Sequence, residues 1–369
     1  MRAGDTDANY WPSLPRNAQE AAHVHPIDNR VSQLSSIARH KVRGSNYHQH
    51  VGATINEWFG YSPDDGSTEA ALAVQNQHCR FIDGLCKKRA KGGVCSITPT
   101  ESAAPVVICP SRLYFNGHEF LAHIAQSAFA SLEPALGSDG LPTLVKASLA
   151  REQARMSGRT QIGVFGQGWD SEVKLPASLE GGGSYSVDFT LVAIDPTGLL
   201  LGFAPVEVQT IDTTNNYKNG LDALRLDRST VATKAGLNWE NVSKRILPQL
   251  IVKGLMLQGE RLCTHGIYFV TPDPVFAKIA LRLGGMGRLR NIPKQPGSIT
   301  FVRYGYDGVQ RSDGTPSALE ISAETTISTS DMSIAFISPQ NLPPAGAYED
   351  RISRKLAAKP SKPRTPKTV

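Results

Sequence analysis

The chain has 369 residues, 40% of them apolar and 20% charged, with 33 glycines and 24 prolines. This excludes collagen-like and wholly disordered chains and leaves enough apolar side chains for a sizeable core. The net charge of +6 permits a polyanionic partner, but residues 351–369 carry seven Lys and Arg and no acid, which leaves the other 350 residues at −1, so charge alone does not identify nucleic acid. The N-terminus, Met1-Arg2-Ala3-Gly4-Asp5-Thr6-Asp7, lacks the charged-then-apolar pattern of a leader, and no stretch approaches the roughly 20 apolar residues of a membrane span. A cytoplasmic protein without membrane contact is expected.

Residues 1–67 read as an N-terminal arm with a helical region near 28–43, rich in Pro, Asn, Ala and His. Residues 68–115 read as a cysteine-bearing subdomain: a helix from Thr68 to Gly84, then a stretch closed by the apolar run Val106-Val107-Ile108-Cys109 before Pro110. Residues 116–345 read as the main core. Helical spacing places Phe120, Leu121, Ile124 and Phe129 on one face, and a further helix is predicted over 143–156 from Leu144, Ala147 and Leu149. Strands follow, with Tyr185 to Ile194 and Leu199 to Thr210 joined by the turn Asp195-Pro196-Thr197-Gly198. Asn238 is the expected cap of a helix through Val242, Ile246, Leu250 and Leu255, kinked or split by Pro248. Gly266 to Val270, Ser298 to Tyr306 and Ile321 to Ile337 read as strands, and residues 346–369 as a basic, disordered tail. Strand and helix alternate, which gives an α/β class with a mixed sheet.

Four of the five cysteines, Cys79, Cys86, Cys95 and Cys109, fall within 31 residues, whereas Cys263 stands alone in an apolar setting. Four thiolates can close a tetrahedral shell around a borderline-soft cation, and that binding energy orders a loop-rich segment poor in apolar residues. Arg80, Lys87, Lys88, Arg89 and Lys91 adjoin the thiols and are expected to lower their pKa. The competing reading is four buried cysteines acting as small hydrophobes.

In the predicted hairpin Asp188 and Glu207 each interrupt an apolar run. Alternation places Glu207 and Gln209 on one strand face and Val206 and Val208 on the other, with Asp188 able to reach the same edge. Two buried carboxylates side by side repel unless a cation lies between them, and Mg²⁺ prefers such oxygens. A hydrated ion held this way suits phosphodiester hydrolysis. The competing reading is two acids at strand ends satisfied by neighbouring donors.

The run of Asp188 followed by Glu207-Val208-Gln209 resembles a PD-(D/E)xK nuclease core with Gln at the usual Lys position. Together with Val94-Cys95-Ser96-Ile97, Ile108-Cys109-Pro110-Ser111-Arg112-Leu113 and Val206-Glu207-Val208-Gln209-Thr210-Ile211-Asp212, it resembles the NotI-type restriction endonucleases from about Cys79 to about Ser338. The resemblance implies a restriction-endonuclease-like core joined to a small four-cysteine metal subdomain. Cys79, Cys86, Cys95 and Cys109 would hold structural iron, or zinc, and Asp188, Glu207 and Gln209 would form the catalytic motif with Mg²⁺ on the two acids. It also implies an acid on the preceding element, for which Glu172 is the better candidate and Asp170 the weaker. Gln carries neither proton nor charge, so water activation would fall mainly to the metal.

The function expected is that of a Mg²⁺-dependent type II endonuclease cutting both strands of duplex DNA as a homodimer at a palindromic site, GC-rich by family likeness. Two other readings stand beside it: a metal-stabilised, sequence-specific DNA-binding protein without catalysis, and a nuclease of repair or RNA processing.

Overall fold

The computed structural model describes residues 52–102, 104–175, 184–307, 318–339 and 342–357. The predicted arm up to residue 51 with its helix at 28–43, and the tail beyond residue 357, lie outside the described residues. The strands are β1 (Ala53–Trp58), β2 (Val94–Pro99), β3 (Val106–Val107), β4 (Leu144–Lys146), β5 (Gln161–Gly166), β6 (Phe189–Ile194), β7 (Leu200–Val208), β8 (Ile267–Pro272), β9 (Ser298–Tyr306) and β10 (Leu319–Ser328). Helices that bear on the site are α1 (Thr68–Gln75), α2 (Phe115–Phe129), α3 (Ala147–Ser157), α4 (Lys218–Asp227), α5 (Leu247–Leu257), α6 (Asp273–Arg282), α7 (Thr329–Ile337) and α8 (Ala347–Ala357).

Seven strands form the central sheet in the order β10-β9-β8-β7-β6-β5-β4. β4 runs parallel to β5, and β7, β8 and β9 are mutually parallel, while the pairs β5/β6, β6/β7 and β9/β10 are antiparallel. The protein is therefore mixed α/β with a mixed sheet. Every residue of β6 and β8 is buried, because helices cover both faces of the sheet. On one face Phe120, Leu121 and Ile124 of α2 pack with Phe189, Leu191, Val206, Val208 and Tyr268. On the other, Leu250 and Ile251 of α5, Phe276 and Ile279 of α6 and Met332 of α7 pack with Phe269, Ile299 and Phe301. No helix among the described residues is long and apolar enough to cross a membrane.

Several predicted elements change. The helix predicted over 143–156 divides: Leu144–Lys146 is a strand, and α3 buries Ala150 and Ala154 while Leu149 is exposed. Small side chains win the buried face because α3 lies so close to the sheet that a Cβ on Gly163 would stand 3.0 Å from Ala150 Cβ. The run Ile321 to Ile337 is a strand only as far as Ser328, whose hydroxyl accepts from Asp331 N and starts α7. The helix expected from Thr68 to Gly84 stops at Gln75 and gives way to a small hairpin, His78–Cys79 with Gly84–Leu85. Within residues assigned to the arm, β1 pairs antiparallel with β2 and belongs with the cysteine-bearing segment. Part of the expected disordered tail is α8, which buries no residue; its acids Glu349 and Asp350 at the N-terminus and Arg354 and Lys355 at the C-terminus complement the helix dipole.

The hairpin and the proline break match expectation more closely. β6 and β7 pair around the predicted turn, where Asp195 Oδ1 accepts from Thr197 N and Leu199 N. The helix is split ahead of Pro248: Val242–Ile246 is a π-helical turn, closed by Leu247 N donating to Val242 O, and Pro248 stands in the first turn of α5, where no N–H is needed.

Candidate active site and cysteine cluster

β6 and β7 bring Asp188 and Glu207 together. Phe189 lies opposite Val206, so Asp188, one residue before β6, comes level with the Glu207–Val208 peptide. Its Oδ2 accepts from Val208 N at 2.7 Å. The approach needs Gly166 on β5: its φ is +129°, and a Cβ there would stand 2.4 Å from Asp188 O. Val206 and Val208 turn into the core, as alternation predicts. Glu207 turns to the opposite face, where α5 supplies Lys253, with Nζ 2.6 Å from Glu207 Oε2. Both side chains are largely buried, Lys253 at 8% and Glu207 at 15% exposure, so the pair is held in a weakly screened setting.

Burial pushes both carboxyls above the usual range. Glu207 is pushed up to about 7, first by desolvation and then by the charge on Asp188, with Lys253 pulling against both. Asp188 is raised by desolvation and by Glu172, and lowered by the Val208 N–H and by Lys253. Tyr114, ahead of α2, is raised chiefly by burial and also by Asp188, Glu207 and Glu172, so its hydroxyl stays protonated beside them.

The two candidate acids on the preceding element separate. Glu172 is exposed, and its charge acts on Asp188 and Tyr114. Asp170 instead accepts from Ser148 N at 2.7 Å and from the Ser148 hydroxyl at 3.3 Å, serving the first turn of α3. Gln209 follows β7; its side-chain Nε2 donates to Thr210 O at 2.9 Å, and its backbone carbonyl accepts from Thr271 Oγ1. It borders a polar cavity of about 40 Å³ with Asp212, Asn241, Arg245 and Gln249, room for a few waters but not for a nucleobase.

Lys253 escaped the sequence reading because it lies 46 residues beyond Glu207 on another element. The available signal was a charged residue on the apolar stripe of a helix, one turn from Leu250 and Leu257.

Cys79, Cys86, Cys95 and Cys109 are all buried and unbridged, and each thiol's charge would be felt by its neighbours: Cys109 raises Cys79, Cys86 and Cys95. The expected lowering by adjacent basic residues is overturned. Desolvation is the largest effect on Cys79, Cys86 and Cys95 and raises all three, while of the basic neighbours only Arg89 opposes it, at Cys86. Against desolvation, the backbone at Phe81 and Ile82 lowers Cys79 and that at Lys88 lowers Cys86, which favours the thiolate forms a soft cation needs. The donor chemistry therefore fits a soft cation, although among the described residues no three His, Cys, Asp or Glu side chains are grouped closely enough to hold a metal as they stand. Cys263 is buried apart, its Sγ donating to Gly266 O and its thiol pushed up to about 12 by desolvation.

A buried ion pair lies within the cysteine segment, and its Glu57 is also reached by Tyr306 of β9 in the central sheet. Arg112 Nε donates to both oxygens of Glu57 at 2.8 and 3.1 Å, and Ser96 and Tyr306 donate to Glu57 Oε2. The guanidinium lies 4.6 Å from the ring centroid of Phe81. Compared with models of known protein families and with curated proteins, the chain matches none.

Proposed function

We propose that the protein is a Mg²⁺-dependent type II endonuclease with a PD-(D/E)xK-like core and a four-cysteine metal subdomain. The observation that carries this reading is the buried juxtaposition of Asp188 and Glu207, with Glu172 close enough to raise Asp188. One lysine faces these acids, so their negative charge exceeds the positive charge beside them and a divalent cation is the natural complement. Asp188 and Glu207 would hold the ion, with the charge of Glu172 acting on Asp188. The chemistry such an ion would supply there is Lewis-acid activation of the phosphodiester and of water. The protein's own part is to fix the carboxylates: the Val208 N–H locks Asp188, and β7 holds Glu207. Gln209 is the weakest member of the motif, since its amide is engaged by the neighbouring backbone and serves to order water.

In the cysteine segment, Cys79, Cys86, Cys95 and Cys109 would close on iron or zinc and become thiolates on doing so. The substrate is duplex DNA at a palindromic, GC-rich site cut by a homodimer. The reading is tested by incubating the full chain with mapped duplex DNA, with Mg²⁺ or with chelator. Discrete fragments in Mg²⁺ alone support it. Binding without fragments would favour a DNA-binding protein, and preference for branched DNA or RNA a repair or processing nuclease.

A further inference from the structure

We propose that Lys253 is a further catalytic residue, presenting its ammonium to the phosphoryl group and so supplying the positive charge that the Glu207-x-Gln209 sequence lacks. This rests on the nuclease reading of the same site.

The placement of Lys253 is unusual for a structural lysine. It occupies the buried stripe of α5, between Leu250, Ile251 and Leu257, where an apolar side chain would serve packing better. Burying an ammonium costs several kcal/mol unless it is paired, and a buried ion pair is often no better for stability than apolar residues of similar volume. Stability is therefore a weak reason for it to be there. A second observation is that Lys253 acts on both acids, as the direct partner of Glu207 Oε2 at 2.6 Å and as a charge that lowers Asp188. One ammonium thus stands over the edge where the scissile phosphate must sit if the carboxylates hold the cation. Lysine has three N–H donors, and Glu207 takes one in the bond described. The donors not used by Glu207 can meet a phosphoryl oxygen or the attacking water.

Gln209 cannot do the same, being uncharged and donating to Thr210 O. Gln209, just after β7, and Lys253 of α5 come from different elements, and Gln209 borders a cavity together with Gln249 of that same helix. In the hydrolysis, the water oxygen forms a bond to phosphorus, the bond from phosphorus to the leaving ester oxygen breaks, and a proton of that water ends on the leaving oxygen. Lys253 neither gives nor takes a proton. It is a fixed positive charge facing the oxygens on which negative charge builds.

The test compares wild type, Lys253→Met and the double variant Gln209→Lys/Lys253→Met in single-turnover cleavage of mapped duplex DNA with Mg²⁺. Duplex affinity is measured in parallel with Ca²⁺ in place of Mg²⁺. Met keeps length and suits the apolar stripe. The expected results are a cleavage rate for Lys253→Met lower by about 10²- to 10³-fold, duplex affinity within about threefold of wild type, and recovery of at least about tenfold in the double variant. A structural role would not produce that recovery, because a lysine at position 209 cannot repair packing on α5. Cleavage by Lys253→Met within threefold of wild type overturns the proposal, as does a loss that Gln209→Lys fails to restore, misfolding included. Failure of wild type itself to cleave would instead overturn the nuclease reading, so the two failures are distinguishable.

Discussion

The strongest physical consequence of the site is a pH-dependent instability that one substitution removes. Glu207 is pushed from 4.5 to about 7 in the folded chain, mainly by burial and then by Asp188. For an acid whose folded value is raised, the native state holds the proton more tightly than the unfolded chain. Stability is then greatest below about pH 4.5, falls as pH rises through the window up to about 7, and stays low above it. The full difference corresponds to about 3 kcal/mol between pH 4.5 and 8, a large share of the stability of an ordinary domain. Glu207→Gln keeps the shape and is neutral throughout, so its unfolding free energy should lack this component. Urea unfolding of both proteins in chelator across that range measures the difference, since groups that titrate alike in both cancel. Wild type should lose about 3 kcal/mol more than the variant on going to pH 8, and Mg²⁺ should restore stability to wild type only. Parallel pH profiles for the two proteins would refute the burial and charge coupling assigned to Glu207.

Other consequences concern residues around the site. Glu172→Ala should slow cleavage while leaving the thermal midpoint unchanged, whereas Asp170→Ala should lower the midpoint by freeing the first turn of α3 and leave cleavage intact; a cleavage assay and a melt on each variant separate them. Cys95→Ser should lose the iron or zinc and lower stability, and unchanged metal content on elemental analysis would contradict the cysteine assignment. Glu57→Gln should destabilise the protein by about 3–5 kcal/mol, because it removes the carboxylate charge that faces the buried Arg112 guanidinium; chemical unfolding at neutral pH reads this directly.

Much of the site was legible because it is built from one hairpin. Asp188, Glu207 and the intervening turn are close in sequence, and period-two alternation alone separates Glu207 from Val206 and Val208. Lys253 was not legible, since its contact with Glu207 depends on how α5 crosses the sheet, which no local pattern encodes. The sequence already favours Glu172 over Asp170, but the Ser148 bonds that occupy Asp170 were not legible, since they depend on where α3 begins. The missed strand β1 illustrates the same point. Ala53–Trp58 lies in a stretch with weak periodicity, and its pairing with Val94–Pro99 is a long-range event. The cysteine spacing announced a cluster, but the balance between burial and neighbouring cations at each thiol emerged only once desolvation could be set against charge. The overlong strand at Ile321 to Ile337 contained its own stop, Ser328 three residues before Asp331, a helix-start signal hidden inside an apolar run.

The proposed role of Asp188 and Glu207 is that of a metal-dependent phosphodiesterase site. Its most direct measurement is the cleavage rate of mapped duplex DNA by wild type, Asp188→Ala and Glu207→Ala, each shown to be folded, in Mg²⁺ and in chelator. Wild type should give discrete fragments in Mg²⁺ only, and each variant should lose about 10³-fold or more in rate. Full cleavage by either variant in Mg²⁺, or equal cleavage by wild type in chelator, would contradict it.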